Sequence, residues 1–443
     1  MPVNDSHPDY DFYADQWRTA RDAHAGQAKI HSEKERYLDR LTEQTAEEYK
    51  AYLKRTVFFE ATDRTVQGLK GMIFRKDPVI EENGMDQDFL TDVTMDDTSL
   101  TGFANAFVED ILVTGRAGIM VDFPSVDSET MTLAQQRAMN IRPFLKHYAA
   151  ESIINWRMKS GKLCEVRLQE FVEIQIDEFD WETQEQIRVL DFDESGLYQQ
   201  RVFVKTKDEK GFVKWVLTTE IQPRMNGQRM DFIPFIFASS VNTSPDIDKP
   251  PLMGLINLNI SHYKTTADLE HGAHFTGLPT AVIIGHTPEE GEDDFRIGST
   301  SAWVFTNPDS DAKFLEFEGK GLESLEKLLS AKESKMAALG AQMLTPQERR
   351  NEAAETAALR HNGENSVLAD IANTVSDALN KALEIAGMWM NAEPATIQLN
   401  TDFMPVSMTP QMLQSLVMSW QQGAISSETL FENLQRGEII DHM

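Results

Sequence analysis

The stretch Pro251–Ile284, PLMGLINLNISHYKTTADLEHGAHFTGLPTAVII, decides how the rest of the chain is read. Leu252, Ile256, Ile260, Tyr263 and Ala267 step by four, four, three and four, which sets one apolar stripe on a helix from about Pro251 to His274. Gly277-Leu278-Pro279 breaks that helix, and strand-like runs follow at Thr280–Ile284, Ala302–Thr306 and Lys313–Phe317. A second helix is expected from about Leu322 to Leu339, with Leu322, Leu325, Leu329, Met336 and Leu339 on one stripe. Its other faces carry Glu323, Lys327, Lys332, Glu333 and Lys335. Two helices that leave a body, carry a small β tip and return form a lever, the first arm roughly 35 Å long at ~1.5 Å per residue.

Downstream, Gly340 is expected to end the second arm. Thr345-Pro346-Gln347-Glu348 then places a hydroxyl at a helix cap, proline at the first helical position and a carboxylate able to bond back to the cap. The helix it opens is expected to reach about Met390, Ala-rich at Ala353, Ala354, Ala357 and Ala358, with a kink at Asn362-Gly363. Such a helix would exceed about 60 Å, so it is expected to span domains or pack on neighbouring subunits. Two short helices end the chain, one from Thr409-Pro410 through Trp420 and one from Ser427 through Leu434.

Upstream, helices are expected at Asp9–Ala25, Ser32–Thr42 and Glu47–Phe74, the last ended by Arg75-Lys76-Asp77-Pro78. Residues 77–98 read as acidic and irregular. A helix at Leu100–Val113 leads through Gly115-Arg116-Ala117-Gly118 into a strand at Ile119–Asp122, and Thr132–Asn140 reads as helical. From about Ser160 to Ser239 the period changes to two: Val166, Leu168, Val172, Ile174 and Ile176 alternate with polar neighbours. Ile187–Phe192 and Tyr198–Lys205 flank the turn Asp193-Glu194-Ser195-Gly196, and Phe212–Thr218 and Phe232–Phe237 are expected to continue the sheet. The result is an α+β chain, predominantly α, with an antiparallel sheet or small barrel in its middle.

At 443 residues the chain is too long for one ordinary core, and 41% hydrophobic with 26% charged residues is the balance of a folded protein. The net charge of −29 repels nucleic acid and anionic membranes unless basic residues are segregated locally. A single cysteine, Cys164, cannot form an intrachain disulfide and points to a reducing compartment. The N-terminus has no basic segment followed by an apolar run, and no stretch reaches 18 apolar residues, so neither a signal peptide nor a membrane span is expected.

Candidate chemistry is sparse. Glu289-Glu290-Gly291-Glu292-Asp293-Asp294 offers carboxylates for a cation or a hydrolase, but carboxylates catalyse when convergent and desolvated, and a run in a turn is a solvated or docking surface. Asn307, Asp309, Asp311 and Glu318 fit positions one, three, five and twelve of a calcium loop, yet Ala312 stands where that loop needs glycine. His262, His271 and His274 lack the further ligands of a zinc site. There is no phosphate-binding loop, nucleophile elbow or dinucleotide fingerprint, and the chain is expected to need no catalytic residue, cofactor or metal. Basic residues cluster at Lys54-Arg55, Arg75-Lys76, Lys327, Lys332 and Lys335, and Arg349-Arg350.

The order of parts, helical start, sheet, Pro-rich linker, helix, β tip, helix, capped break, long helix and helical tail, resembles the portal protein of tailed bacteriophages. The wording is similar to one portal subfamily at Leu53–Phe59 (LKRTVFF), Gly115–Ile119 (GRAGI), Ala150–Arg157 (AESIINWR), Leu258–Tyr263 (LNISHY), Glu270–Thr280 (EHGAHFTGLPT) and Arg360–Ala369 (RHNGENSVLA), which together span about residues 50 to 370. Gly423–Thr429 is similar to portal C-termini.

The resemblance implies a portal-type protomer. Its helical wing part would cover residues 1–150 and its β-rich wing part 151–248. A stem helix at 249–277, a clip at 278–320, a second stem helix with the start of a channel loop at 321–345, a long helix at 346–392 and a crown at 393–443 would follow. It further implies a ring of about twelve copies at one capsid vertex, assembled in the host cytoplasm, that conducts double-stranded DNA without sequence preference during packaging and ejection. Lys327, Lys332, Lys335, Arg349 and Arg350 would face the DNA. His286, Glu289, Glu290, Glu292, Asp293, Asp294 and Arg296 would dock the terminase large subunit and later a head-completion or adaptor protein, while capsid and scaffold proteins contact the ring. Another virion protein, an adaptor or minor capsid component, and a metal-dependent hydrolase built on residues 289–294 are the competing readings.

Overall fold

A computed structural model describes residues 2–124, 141–207, 211–276, 280–285, 309–315, 320–344, 366–403 and 410–421, with 425, 426, 429, 430 and 433. In chain order the elements are α1 Pro8–His24, α2 Gln27–Glu33, α3 Ala46–Arg55, α4 Ala61–Ile73, β1 Val79–Glu81, α5 Gln87–Thr91 and α6 Leu100–Thr114. Strands β2 Arg116–Asp122, β3 Phe144–Ala149, β4 Ile153–Lys159, β5 Lys162–Gln175, β6 Trp181–Phe192, β7 Tyr198–Lys207 and β8 Val213–Ile221 follow. Then come β9 Arg224–Met225, β10 Gln228–Arg229, β11 Phe235–Ser239, α7 Met253–Thr276, β12 Thr280–Ile284, β13 Asp311–Leu315, α8 Lys320–Gln342, α9 Val367–Met390, β14 Thr396–Gln398 and α10 Pro410–Gln421. The fold is mixed α and β, as the patterning implies. It divides into two compact units: Met1–His24, Thr62–Ile256 and Ala338–Met443 form the first, Ala25–Ala61 and Asn257–Ala337 the second.

The first unit is built on α6 and α9 against a three-stranded sheet of order β11-β2-β3. α6 starts at Ser99, whose side chain accepts from the Gly102 N–H, and ends at Gly115 in the left-handed region at φ 77°, where a side chain would be strained. Three residues on, Gly118 lets the Phe235 ring lie across the sheet: a Cβ there would sit 2.3 Å from Phe235 Cζ. Arg116 between them is 1% exposed. Its guanidinium lies 4.0 Å from the Trp156 ring centroid and donates to Pro245 O at 2.9 Å, and burial pushes its pKa down to about 9. Segments Gly115–Ile119 and Ala150–Arg157 thus meet in one core.

α9 corrects the expected long helix. It begins at Ser366, whose side chain accepts from the Ala369 N–H, and its 24 residues rise about 36 Å, not 60. Leu368, Ile371, Val375, Leu379 and Leu383 are buried within their own unit, so the helix does not depend on neighbouring subunits for cover. Residues 345–365, which hold the expected cap and kink, lie outside the described residues. Gly340 does not end α8, which runs on to Gln342.

β4 to β8 form a five-stranded antiparallel meander, an open sheet rather than a barrel. Phe235–Ser239 does not continue it, contrary to expectation, but pairs with Arg116–Met120 in the other sheet. This pairing spans more than a hundred residues and leaves no local sequence signal. Between the two sheets, Glu170 accepts from Lys146 Nζ at 2.7 Å, Tyr148 OH at 2.5 Å, Arg188 Nε at 3.1 Å and Gln186 Nε2 at 2.6 Å. Burial alone would raise its pKa; Arg188 and Lys146 outweigh that and hold it at about 2.

In the second unit two expected helices change. Ser32–Thr42 is not helical as a whole: α2 stops at Glu33, a single 3₁₀ turn covers Lys34–Arg36, and the Leu38 carbonyl takes the Tyr49 hydroxyl instead of a helical N–H. Glu47–Phe74 is two helices, because the backbone from Thr56 to Phe59 is bonded by side chains. His31 Nε2 lies 3.0 Å from Thr56 O, Gln27 Oε1 accepts from Phe58 N at 3.1 Å, and Asn259 Nδ2 donates to Phe59 O at 2.7 Å. Val57, Phe58 and Phe59, β-branched and aromatic, lose χ1 freedom in a helix, so the break falls where helix is weakly favoured. Residues 77–98, read as irregular, contain β1 and α5, and Thr132–Asn140 lies outside the described residues.

Candidate functional site

The lever is present as two helices and a strand pair. β12 and β13 are antiparallel, Thr280 opposite Leu315 and Ile284 opposite Asp311, and they follow α7 and precede α8 in the chain. α7 buries Tyr263 and Ala267 of the expected stripe, and α8 buries Leu329 and Met336.

The apolar stripes are only half of the seam. α7 also buries Asn259, His262 and Thr265. Lys332 of α8 reaches across and donates to Ser261 O at 2.8 Å, Ser261 Oγ at 2.9 Å and Thr265 Oγ1 at 2.6 Å. At the next residue of each helix, His262 Nε2 stands 3.3 Å from Glu333 Oε1, and the His262 ring lies beside Phe59 at 5.4 Å. Burial lowers the His262 pKa, and Glu333 pulls it back up in part. Tyr52 OH donates to Asp268 Oδ1 at 3.4 Å, and Phe58 meets Tyr263 edge-on at 5.7 Å. Hence Leu53–Phe59 and Leu258–Tyr263, two of the stretches similar to portals, hold each other. These polar seam residues were missed in the sequence. The available signal was a second row, Asn259, His262, Thr265 and Thr266, at helical spacing beside the apolar one and without a charge in it.

Of the DNA-facing candidates, Lys327 is exposed and pairs with Glu323 at 2.6 Å one turn earlier, and Lys335 is exposed. Lys332 is half-buried, and its N–H donors go to Ser261 and Thr265 within the helix pair. Arg349 and Arg350 lie outside the described residues, as do His286, Glu289, Glu290, Glu292, Asp293, Asp294 and Arg296 of the clip. Asn307 and Glu318 of the calcium register are likewise outside, while Asp311 stands in β13. Among the described residues no three His, Cys, Asp or Glu side chains gather as a metal ligand set, and no helix is long and apolar enough to cross a membrane.

Residues 251–390 match a family profile described as a domain of unknown function (DUF4055). The match covers α7, the strand pair, α8 and α9. A search of curated proteins finds no match. Among solved structures, a chain from the neck of a native gene transfer agent (GTA) particle computed with C12 symmetry is similar at TM-score 0.40 and 10% identity, over 84% of this chain and 89% of that one. A chain from the virion of the native GTA particle gives 0.38 and 10%, over 85% and 89%. A chain from the neck of the empty particle computed with C6 symmetry gives 0.38 and 12%, over 85% and 90%. Scores of this size carry no statement about function.

Proposed function

We propose that this chain is a portal protein: a structural subunit that closes into a ring at a capsid vertex, passes double-stranded DNA and catalyses nothing itself. The observation that carries the reading is the α7–β12–β13–α8 unit, two helices of 24 and 23 residues bracketing an antiparallel strand pair, in the chain order that the resemblance requires. The pairing of portal-like stretches in space supports it, since these stretches build the core and the lever instead of lying scattered on the surface.

In this reading α7 and α8 are the stem, and the segment joined by β12 and β13 is the clip on which a packaging motor and later a head-completion protein dock. Exposed Lys327 and Lys335 supply weak contacts to phosphates, independent of sequence. The net charge of −29 suits a conduit, because an acidic wall does not trap a passing polyanion.

Mass photometry of the purified chain tests the reading. At 50.2 kDa per copy, a closed ring of twelve gives about 600 kDa. A monodisperse monomer across the working concentration range overturns it. Deleting residues 286–296 is expected to leave rings intact and abolish motor-dependent packaging; packaging that survives the deletion sinks the clip assignment.

A further inference from the structure

The five-stranded meander has two unlike free edges. β4 pairs with β5 only as far as Leu168, so from Gln169 to Gln175 β5 has β6 on one side and no described strand on the other. At the opposite edge, among the described residues, β8 pairs with β7 alone. Residues 171–183 are all exposed, including Phe171 at 65%, Phe179 at 89% and Trp181 at 58%. On β8, Val213 is 56% and Leu217 43% exposed. A long apolar edge left open is a strand-pairing surface.

Charge separates the two edges. The β5–β6 hairpin holds Glu173, Asp177, Glu178, Asp180 and Glu182, and no basic residue occurs between Arg167 and Arg188. The β7–β8 hairpin holds Arg201, Lys205, Lys207, Lys210 and Lys214 against Asp208, Glu209 and Glu220, a net positive count. Arg201 and Lys205 are bonded to Asp191 and Glu185, while Lys207 and Lys214 are exposed at the end of the sheet. In a chain of net charge −29 this strip is an exception, and copies of such a chain repel one another unless a contact brings opposite signs together.

We propose that these edges are the two halves of a head-to-tail contact between copies: β8 of one subunit takes the distal β5 edge of the next and continues the sheet across the boundary. The strand directions permit it. In the meander β5 and β7 run one way and β6 and β8 the other, so β5 of a like-facing neighbour arrives antiparallel to β8. The two halves are different surfaces of one subunit, so the contact is heterologous, and a fixed rotation at each step closes a ring. The inference rests on the ring reading above and assigns its adhesive surface.

Charge reversal tests it. Lys207→Glu with Lys214→Glu, and separately Glu173→Lys with Asp177→Lys, should each raise the concentration for half-assembly about tenfold or more by mass photometry at low salt. The chain carrying all four changes should assemble near the wild-type concentration. Circular dichroism melts report whether each variant keeps its fold. Hydrogen exchange on the wild type, dilute against concentrated, gives a reading independent of variants: amides of 171–175 and 213–217 should gain protection on assembly. Wild-type rings with unaffected variants and no gained protection overturn this inference and leave the portal reading standing. Wild-type monomers under all conditions overturn both.

Discussion

Helices α7 and α9 have the same length, 24 residues, and are buried by different means. α9 lies in a bed of its own unit with Leu368, Ile371, Val375, Leu379 and Leu383 inward; apolar volume dominates its fit, and its directed bonds, Ser376 Oγ with Leu399 N and Asn380 with Ile397, go to the β14 segment. α7 mixes Tyr263 and Ala267 with buried Asn259, His262 and Thr265, each held by a directed bond to a specific partner. Volume fits tolerate sliding by a turn; directed bonds do not, because a shift leaves a buried donor or acceptor unpaired. The polar seam therefore fixes the register of α7 against its partners.

The largest expected effect breaks the α9 side. Leu379→Ala should cost roughly 2–5 kcal/mol in urea unfolding, through lost burial and a cavity. A cost under 1 kcal/mol would show that α9 is loosely packed and erase the contrast. On the α7 side, Asn259→Ala leaves the Phe59 carbonyl without this donor and should cost about 1–3 kcal/mol. Hydrogen exchange should localise the loss to residues 46–60 and 257–276; a uniform loss over the whole chain would mean that the bond does not belong to the seam. The smallest effect is one of pH. The His262 pKa is lowered in the folded state, so below the ordinary value near 6.5 the unfolded chain binds a proton that the folded chain refuses. Stability of the second unit should therefore be full above pH 7 and fall as pH drops through 6, with Glu333 and Lys332 the charged groups nearest the ring. His262→Gln should flatten that slope, and an unchanged slope would locate the titration elsewhere.

The same contrast governs what could be read in advance. α6, α7 and α8 were legible because apolar residues recur at three and four, and the meander was legible where Val166, Leu168 and Val172 alternate. The break at Thr56–Phe59 was not, since it is made by Gln27, His31 and Asn259, side chains distant in sequence. β3 and β4 escaped notice because a 3₁₀ turn at Ala150–Ser152 interrupts their alternation. The sheet partner of β11 was invisible for the reason common to all nonlocal pairing: period tells which face a strand buries, and not against what. Of the candidate site, the order helix, strand pair, helix was legible, and the part that Lys332 plays in the seam was not. A lysine among glutamates on a helix reads as a surface charge, and only the facing hydroxyls of Ser261 and Thr265 show that it is a clasp.

Ser366 has a consequence for mechanics. The first turn of α9 is closed from two sides: Ser366 takes the Ala369 N–H with its side chain, and Met343 O accepts from Leu368 N at 3.0 Å. Met343, just past the end of α8, and Leu368, in the first turn of α9, are therefore held together within the first unit, and the segment between them leaves and returns at one place. Residues could be added to or removed from that segment, changing its reach, while the packing of Leu368 and Ile371 stays as it is. The junction is a fixed clasp in the chain, placed where a change of length can occur without a change of core.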